Sequence, residues 1–423
     1  MRAPIADPRP TNNDVRKALA FSAAGPVNGR RWRLPGTQTR DLPLHKSLKT
    51  ATVTPAPLAI RCTSDKTCWG RSHSMELGIY HEFPVLPGRS QAECFAAGFD
   101  IVDAGEEYGL DVMWLAELHF DKRRALAASP LVLGTAIAAR TERIRIGTSV
   151  QVLPLANPLR IAEEAATLDH VSKGRLIFGV GRSGVVKTYE ALNIAYSESK
   201  DREIECLEII QRAWQEDNFS YKGKFYDIQD VTVVPQPVQQ PTPEIRIAAV
   251  SVETFPAAGK AGQGLFLSVR HEDVRMFKQH IDVYRKAWTD AGHPGEAPVY
   301  LRCPGFVAKT DAAAQEAYGP TLMRHFQNQS RLLADSSRRQ NSPPDHPRWK
   351  TSRRLTEITL EETLRGSVFI GSPDTVVGKL KDLQRDIGLS GVQLETNCAG
   401  LAAHAAEREA IRLLAREVKS AFR

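Results

Sequence analysis

The amino-acid sequence predicts an α/β protein: a TIM (β/α)8 barrel with insertions, preceded by a disordered N-terminal segment. Two observations carry this prediction. From Met75 onward, short apolar segments alternate with longer segments of helical period, and continuously apolar strands are typical of a parallel sheet buried on both faces. Residues 75–423 are also numerous enough for eight strand–helix units with insertions. We therefore divide the chain into an extension, residues 1–74, and a barrel domain, residues 75–423.

The extension is the part of the chain that makes the protein basic. Residues 1–74 carry a net charge of +9, whereas residues 75–423 carry −2. The overall charge of +7 therefore gives no electrostatic reason to expect nucleic-acid binding by the barrel. Pro, Arg, Ser and Thr are frequent in the extension and no period is sustained, which favours disorder. Three explanations stay open: translation that naturally starts at Met75, a solvated regulatory tail, or a targeting segment.

The elements of the barrel follow from the period of the apolar residues and from start and stop signals. The first helix is expected to run from Ser90 to Tyr108, because Gly109 is a typical helix stop. Pro158 suits the first position of a later helix. The predicted strands are 77–80, 111–116, 144–148, 175–179, 245–249, 264–268, 299–308 and 392–395. The predicted helices include 90–108, 130–140, 158–171, 204–216 and 403–422.

Two insertions interrupt the alternation. Residues Asn218–Pro243 are rich in Pro and Gln, and Lys222-Gly223-Lys224 predicts a small hairpin there. Residues Ser336–Arg354 are polar and rich in Pro, so we expect a mobile loop. A loop of this kind at the mouth of a barrel is a candidate lid over the active site.

Four segments of the barrel domain resemble the luciferase-like flavin-dependent monooxygenase family. The longest is Arg145–Ser183, where a strand, a Leu-Pro…Asn-Pro turn and a helix lead to Gly-Arg-Leu-Ile-Phe-Gly-Val-Gly-Arg. The others are Val112–Phe120, Phe225–Ala249 and Gly371–Leu380. The resemblance covers nearly all of residues 75–423. It implies a monooxygenase that uses reduced FMN and O2 to oxygenate a small organic substrate, which the sequence does not identify.

The resemblance also implies where the flavin binds, at the carboxyl ends of the strands. Arg182 is expected to meet the phosphate, since a guanidinium recognises phosphate through two parallel hydrogen bonds. Ser251 and Thr254 follow Ala249 at the start of a helix, where hydroxyls and free amides form an anion site, although both residues also suit simple helix capping. The implied cofactor-binding residues are Ser149, Val150, Asn157, Arg182, Ala249, Ser251, Thr254 and Ser268.

The peptide between Ser149 and Val150 occupies the place where family members often have a non-proline cis bond beneath the flavin ring. Asn157, directly before Pro158, could donate a hydrogen bond to the ring or serve only as a turn residue. Glu163 and Asp169 lie on the helix that follows, and we expect them to be structural.

Glu117 and His119 are the predicted catalytic residues. Bacterial luciferases carry Glu-His-His at this point, and their first histidine is catalytic. Here Leu118 stands in its place, so that role is not carried over. His119 matches the second histidine and could transfer a proton near neutral pH, with Glu117 orienting its neighbours.

The remaining features of the sequence concern binding partners, cellular location and alternative functions. No NAD(P)H motif is evident, so we expect a separate flavin reductase, and the resemblance suggests a homodimer. No apolar run approaches the roughly 18 residues of a membrane helix, and six scattered cysteines suit neither zinc nor a disulfide framework, so we expect a cytoplasmic protein. A deazaflavin (F420)-dependent oxidoreductase and a non-catalytic flavin-binding homologue remain alternatives.

Overall fold

The computed structural model describes residues 75–249 and 251–422, which form twelve strands and twelve α-helices. The predicted extension 1–74 lies outside the described residues, as does Val250. The strands are β1 (Glu76–His81), β2 (Val112–Leu115), β3 (Arg145–Thr148), β4 (Gln151–Val152), β5 (Leu176–Gly181), β6 (Phe219–Lys222), β7 (Asp227–Val231), β8 (Glu244–Ala248), β9 (Gly264–Ser268), β10 (Val299–Val307), β11 (Phe369–Gly371) and β12 (Leu389–Glu395).

The helices surround the strands. They are α1 (Gln91–Tyr108), α2 (Pro130–Arg140), α3 (Pro158–Ser172), α4 (Val186–Ala191), α5 (Ser199–Ala213), α6 (Thr254–Lys260), α7 (Lys278–Asp290), α8 (Asp311–Arg339), α9 (Pro347–Glu357), α10 (Leu360–Leu364), α11 (Pro373–Ile387) and α12 (His404–Leu413). The predicted ends of the first helix are confirmed. Ser90 and Glu93 form a capping box at its start, and Gly109 ends it with a φ of 87°.

Eight parallel strands close into a barrel, as predicted. They pair in the order β1, β2, β3, β5, β8, β9, β10 and β12, and β12 returns to β1. Each of the eight predicted strands overlaps one of these, because every one is a short apolar run buried on both faces. In a closed parallel barrel all carboxyl ends meet at one rim, and this rim is the mouth considered below.

Aromatic side chains fill the middle of the barrel. The rings of Trp114 and Phe266 meet edge to face with centroids 4.9 Å apart. A Cβ at Gly147 would lie 2.1 Å from Cε3 of Trp114, and one at Gly179 would lie 2.9 Å from Phe266 and 1.8 Å from the carbonyl oxygen of Thr148. Glycine is therefore required at both positions because the two aromatic rings and the neighbouring backbone occupy that space.

Below these rings, charged side chains close the amino-terminal end of the barrel. The guanidinium of Arg246 donates to both carboxylate oxygens of Glu76 at 2.6 and 2.8 Å and to Glu244 at 2.7 Å. Arg145 donates to the other oxygen of Glu244 at 2.6 Å. Arg246 is almost fully buried and lies over the ring of Tyr300, with Cζ 3.5 Å from the ring centroid. This ion network is remote from the mouth and its role is structural.

The predicted hairpin of the first insertion is confirmed. β6 and β7 pair in antiparallel fashion on either side of the turn that contains Gly223. Asp169 on α3 is buried and anchors the end of this insertion, since its carboxylate accepts from the backbone N–H and the side-chain amide of Gln239 at 2.9 and 2.7 Å. Asp169 is therefore structural, as expected, and Glu163 forms an exposed ion pair with Arg160.

The prediction of a mobile loop at 336–354 is wrong. The segment is mostly helical: α8 continues to Arg339 and α9 begins at Pro347. One of its polar residues, Ser352, is buried between the two helices: its hydroxyl donates to the Ser330 carbonyl oxygen of α8 at 2.9 Å, and its own carbonyl oxygen accepts from the Ser330 hydroxyl at 2.8 Å. Serine hydroxyls satisfied by backbone carbonyls pack closely, and composition alone does not reveal this.

Candidate active site at the barrel mouth

Glu117 and His119 follow β2 and form one hydrogen-bonded pair. Nε2 of His119 lies 2.9 Å from Oε1 of Glu117. The other oxygen, Oε2, accepts from the Gln151 amide at 2.6 Å and from the Val152 N–H at 2.7 Å. Burial raises the pKa of Glu117, while His119 and these donors oppose that rise. The carboxylate is thereby fixed in place and can hold the imidazole in a single orientation.

A small closed cavity adjoins this pair. It measures about 20 Å³, which is room for about one water molecule. Besides the pair, its lining includes Leu118, Arg124, Thr188 and Leu332. Leu332 comes from α8, and Ser336 on the same helix accepts the N–H of Val186 at 3.3 Å. Helix α8 thus covers the mouth, in the place where the sequence suggested a mobile lid.

The end of β3 is packed tightly against β5. The Ser149–Val150 peptide is cis, and Ser149 is buried. A Cβ at Gly181 would lie 2.9 Å from Cγ2 of Val150. The glycines of Gly179-Val-Gly-Arg therefore make room for the neighbouring strand end.

The three residues predicted to meet a phosphate line one cavity. Arg182, Ser251 and Thr254 lie on the wall of a cavity of about 790 Å³ between α5 and α6, within the size range of ligand pockets. Ser251 Oγ and Thr254 Oγ1 are 3.2 Å apart. One guanidinium and two hydroxyls on one wall form a donor set that suits an anion.

Four glutamates that sequence reasoning missed also line this cavity: Glu203, Glu208, Glu216 and Glu253. Glu203 lies 3.6 Å from Arg182 Nε, and Glu253 lies 3.6 Å from Lys200. Burial raises the pKa of Glu203 to about 7, even though Arg182 and Lys200 act to lower it. The charge on this wall is therefore sensitive to pH near neutrality. Glu203 is the fifth residue of α5, a helix that follows Arg182 in the chain. An acidic residue so early in this helix was a signal in the sequence that a carboxylate lies near the predicted phosphate site.

The remaining predicted cofactor residues are not in that cavity. Ser149 and Val150 lie at the mouth, and Ser268 is exposed at the end of β9. Ala249 continues β8 through a hydrogen bond from its N–H to the Phe266 carbonyl oxygen at 2.9 Å. Asn157 caps α3, and its Oδ1 accepts from Leu159 at 3.0 Å and Arg160 at 3.4 Å, so only its amide N–H groups are free for a ligand.

A cluster of buried ionisable groups lies across the mouth and was missed by sequence reasoning. Arg124 donates to both oxygens of Glu82 at 3.1 and 2.5 Å, and Arg302 donates to Glu395 at 2.7 Å. Arg270 follows β9 and is half-buried. The available signal was an arginine inside an otherwise apolar strand, as in Tyr-Leu-Arg302-Cys.

His325, Glu395 and Cys398 place possible metal-ligand atoms within 4.8 Å of one another. The arrangement does not favour a cation, because Arg302 already binds Glu395 and burial holds the pKa of the Cys398 thiol well above its usual range. A thiol must lose its proton to bind a metal. The four cysteines in the described part of the chain are free and buried, as expected.

Comparison with known proteins agrees with the family that the sequence resembles. A family profile described as luciferase-like monooxygenase matches residues 75–390. The chain is 24% identical over 306 residues to the oxygenase component of a flavin-dependent trigonelline monooxygenase from Acinetobacter baylyi, covering 71% of this chain and 83% of that protein. It is 35% identical over 194 residues to an F420-dependent glucose-6-phosphate dehydrogenase from Kineococcus radiotolerans, covering 44% of this chain and 56% of that protein.

The matched regions span about half the length of the first curated relatives, 47% and 56%. Among solved structures, the oxygenating constituent of 3,6-diketocamphane monooxygenase from Pseudomonas putida, in complex with FMN, superposes with a TM-score of 0.68. It is 22% identical and the superposition covers 82% of this chain and 98% of that one. No helix among the described residues has the length and apolar character needed to span a bilayer.

Proposed function

Because this chain belongs to the luciferase-like monooxygenase family, we propose that it is an FMN-dependent monooxygenase that oxygenates a small organic substrate. The observation that carries the proposal is the convergence of Arg182, Ser251 and Thr254 on the wall of one cavity. These residues would hold the phosphate through charge-assisted hydrogen bonds. Reduced FMN, when bound, supplies the oxygen-activating chemistry.

The residues present fit this cofactor. Four glutamates line the cavity, and three of them lie within 4 Å of a cation that also lines it: Glu203 beside Arg182, Glu253 beside Lys200 and Glu216 beside Arg212. The fourth, Glu208, accepts a hydrogen bond from the Tyr221 hydroxyl at 3.3 Å, so most of the negative charge on the cavity wall is paired. Ser149 and Val150 would contact the ring system, and Asn157 and Ser268 would contribute hydrogen-bonding groups nearby. A homodimer and a separate reductase remain part of the proposal; the trigonelline enzyme is likewise named as an oxygenase component.

His119 and Glu117 would perform proton transfer beside the substrate. Glu117 accepts from Nε2 of His119 when that nitrogen carries the proton, which leaves Nδ1 able to accept one. Helix α8, through Leu332, would exclude water from the mouth. Since the present cavity beside the pair holds about one water molecule, α4 and α8 must shift to admit a ligand there.

An F420-dependent oxidoreductase is the second candidate, because one F420-dependent relative has the higher identity, 35%, over a shorter region. The full chain should be titrated with FMN and with F420, following the fluorescence of each. We expect FMN to bind at least about tenfold more tightly, since an interaction difference of about 1.4 kcal/mol suffices for that ratio. Tighter binding of F420 would overturn the proposal, and so would reoxidation of reduced FMN at the same rate with and without the protein.

The affinity for FMN should depend on the protonation of Glu203. The pKa of this carboxyl is raised to about 7 by burial, so the group gains its negative charge as the pH rises through neutrality. A like charge beside the phosphate disfavours binding. We expect Kd for FMN to increase several-fold between about pH 6 and about pH 8 in the native protein. Glu203→Gln should give the tighter Kd at about pH 8, and a Kd close to that of the native protein at about pH 6, where Glu203 itself holds a proton.

The phosphate of FMN also titrates near pH 6, which alone would strengthen binding as the pH rises. This contribution is common to the native protein and to Glu203→Gln. The difference between the two pH profiles therefore isolates the carboxyl, and superimposable profiles would show that Glu203 does not act on the ligand.

A further inference from the structure

Three arginine side chains meet at one arc of the barrel rim, where only two carboxylates pair with them. Arg124 binds Glu82 and Arg302 binds Glu395, whereas no ion pair or side-chain hydrogen bond joins Arg270 to any described residue. The three belong to one cluster. Val269, directly before Arg270, donates its N–H to the carbonyl oxygen of Arg302 at 3.1 Å. The Tyr80 ring lies 3.5 Å from Cζ of Arg302, and its hydroxyl donates to Glu82, the partner of Arg124, at 3.3 Å. Arg270 is therefore the one arginine of the three whose guanidinium has no hydrogen-bonded carboxylate among the described residues.

Glu272 is the other carboxylate close to Arg270, and it is already engaged. Its Oε2 accepts the backbone N–H of Arg270 at 2.9 Å and that of His271 at 3.2 Å. Burial lowers the pKa of Arg270, with Glu272 acting against it. Arg270 is half-buried, and among the described residues none of its guanidinium nitrogens is a buried atom without a partner, so these donors open onto accessible space and can bind a ligand.

The paired arginines keep donors free as well. Arg302 uses only Nε on Glu395, and its Cζ lies 3.5 Å from the centroid of the Tyr80 ring. Arg124 uses Nε and Nη2 on Glu82. The terminal nitrogens of Arg302 and Nη1 of Arg124 have no partner in the part of the chain that the structure describes. Together with Arg270, the cluster can accommodate a ligand with two oxygen acceptors.

The position of the cluster separates it from the cofactor residues. Most of the residues proposed to contact the flavin follow β3, β5 and β8, which are neighbours in the barrel. Ser268, at the end of β9, lies between these residues and the arginine cluster. In the arginine cluster, Arg270 follows β9, Arg302 lies within β10 and Arg124 lies in the loop after β2, while the carboxylates Glu395 and Glu82 stand at the ends of β12 and β1. Arg124 also lines the small cavity beside Glu117 and His119. A ligand held by the cluster would thus face the proposed proton-transfer pair from the side opposite the phosphate residues.

We propose that Arg270, Arg302 and Arg124 form a subsite for the carboxylate of an organic acid, and that the substrate of the proposed monooxygenase carries this group. The inference of a substrate rests on the function proposed above, whereas the inference of a carboxylate subsite rests on the cluster alone. Guanidinium groups match carboxylates in shape and bind them through two parallel N–H donors. The subsite would anchor one end of the substrate and direct its remainder toward His119.

The test measures binding of simple carboxylates to the full chain without flavin. Acetate, hexanoate and benzoate are titrated by calorimetry alongside acetamide, hexanamide and benzamide. We expect at least one carboxylate to bind about tenfold more tightly than its amide, and Arg270→Gln to remove that preference. Arg270→Lys keeps the positive charge and should retain part of the preference for carboxylates. Arg324→Gln, at an exposed arginine of α8, is the matched control and should behave as the native protein.

Several outcomes would overturn the proposal. One is equal binding of acids and amides, or no binding of any acid. Another is loss of FMN affinity by Arg270→Gln to the same extent as loss of carboxylate affinity, which would assign the arginine to the cofactor. The expected pattern is a double separation: Arg270→Gln loses carboxylate binding and keeps FMN, while Arg182→Ala does the reverse. Failure of the native protein to bind FMN would remove the proposed function without affecting the carboxylate titration.

Discussion

Arg182→Ala should weaken FMN binding about 10²-fold, because hydrogen bonds to charged groups contribute about 1.5–3 kcal/mol each and the guanidinium is the one proposed phosphate contact that carries a charge. The variant also leaves Glu203, 3.6 Å away in the native protein, on the cavity wall without its nearest cation. The expected loss of affinity therefore has two parts. The attraction between Arg182 and the phosphate is removed, and Arg182 no longer offsets the repulsion between Glu203 and the phosphate. Quenching of FMN fluorescence by the full chain measures Kd directly.

Arg202→Ala is the matched control for this substitution. Arg202 lies on the same helix as Glu203, but its Nε donates to Glu198 at 2.8 Å and its Cζ lies 4.2 Å from the centroid of the Phe225 ring. It does not line the 790 Å³ cavity. Its replacement should leave Kd unchanged, and equal affinity in the native protein and Arg182→Ala would disprove the phosphate assignment.

The double variant Arg182→Ala/Glu203→Gln separates the two parts of the effect. If repulsion by Glu203 contributes, the double variant should bind FMN more tightly than Arg182→Ala alone at about pH 9. So high a pH is needed because Arg182 acts to lower the pKa of Glu203, and its removal raises that pKa above the native value of about 7. The two Kd values should converge at about pH 6, where Glu203 of the Arg182→Ala variant holds a proton and is neutral like the glutamine. Additive effects at both values would mean that the two side chains act on the ligand independently.

The barrel was predictable because its strands are encoded locally. Each is a short apolar run, and a run such as Gly264–Ser268 can be bounded almost to the residue since turn residues flank it. The order of the strands also follows, because βα units in a parallel sheet place successive strands side by side. Positions at strand ends, such as Glu117 and Arg182, could then be assigned to the mouth.

The sequence does not reveal which side chains face each other across the closed barrel. The pairing of Arg302 with Glu395, and of Arg246 with Glu76 170 residues earlier, depends on the register with which β12 meets β1 and β10. The error at 336–354 has a similar cause. The hydroxyl of Ser352 counts as polar in the composition of this segment, but it donates to a carbonyl oxygen between two helices, so only the tertiary packing distinguishes this serine from a loop residue.

Arg246→Met should lower the stability of the barrel by about 3–5 kcal/mol, which is the typical effect of removing one partner from a buried ion pair. Methionine can fill much of the space, but Glu76 then keeps only Arg145, at 3.8 Å, and Glu244 keeps its single contact with the same arginine. Equilibrium unfolding in denaturant measures the change. Arg140→Met is the control: its ion pair with Asp103 is about 40% exposed on both sides and should contribute no more than about 1 kcal/mol.

The effect of Arg246→Met should also fade in acid. Burial would raise the pKa of Glu244, but Arg246 and Arg145 outweigh it and hold the pKa at about 2. A carboxyl whose pKa is lowered by folding contributes stability above its unfolded pKa of about 4.5 and loses that contribution as the pH falls toward the folded value. The difference between native and variant proteins should therefore be largest near neutral pH and shrink below about pH 4.5. A difference that is independent of pH would mean that Arg246 stabilises the barrel mainly by packing against Tyr300 and Trp114, and not through its charge.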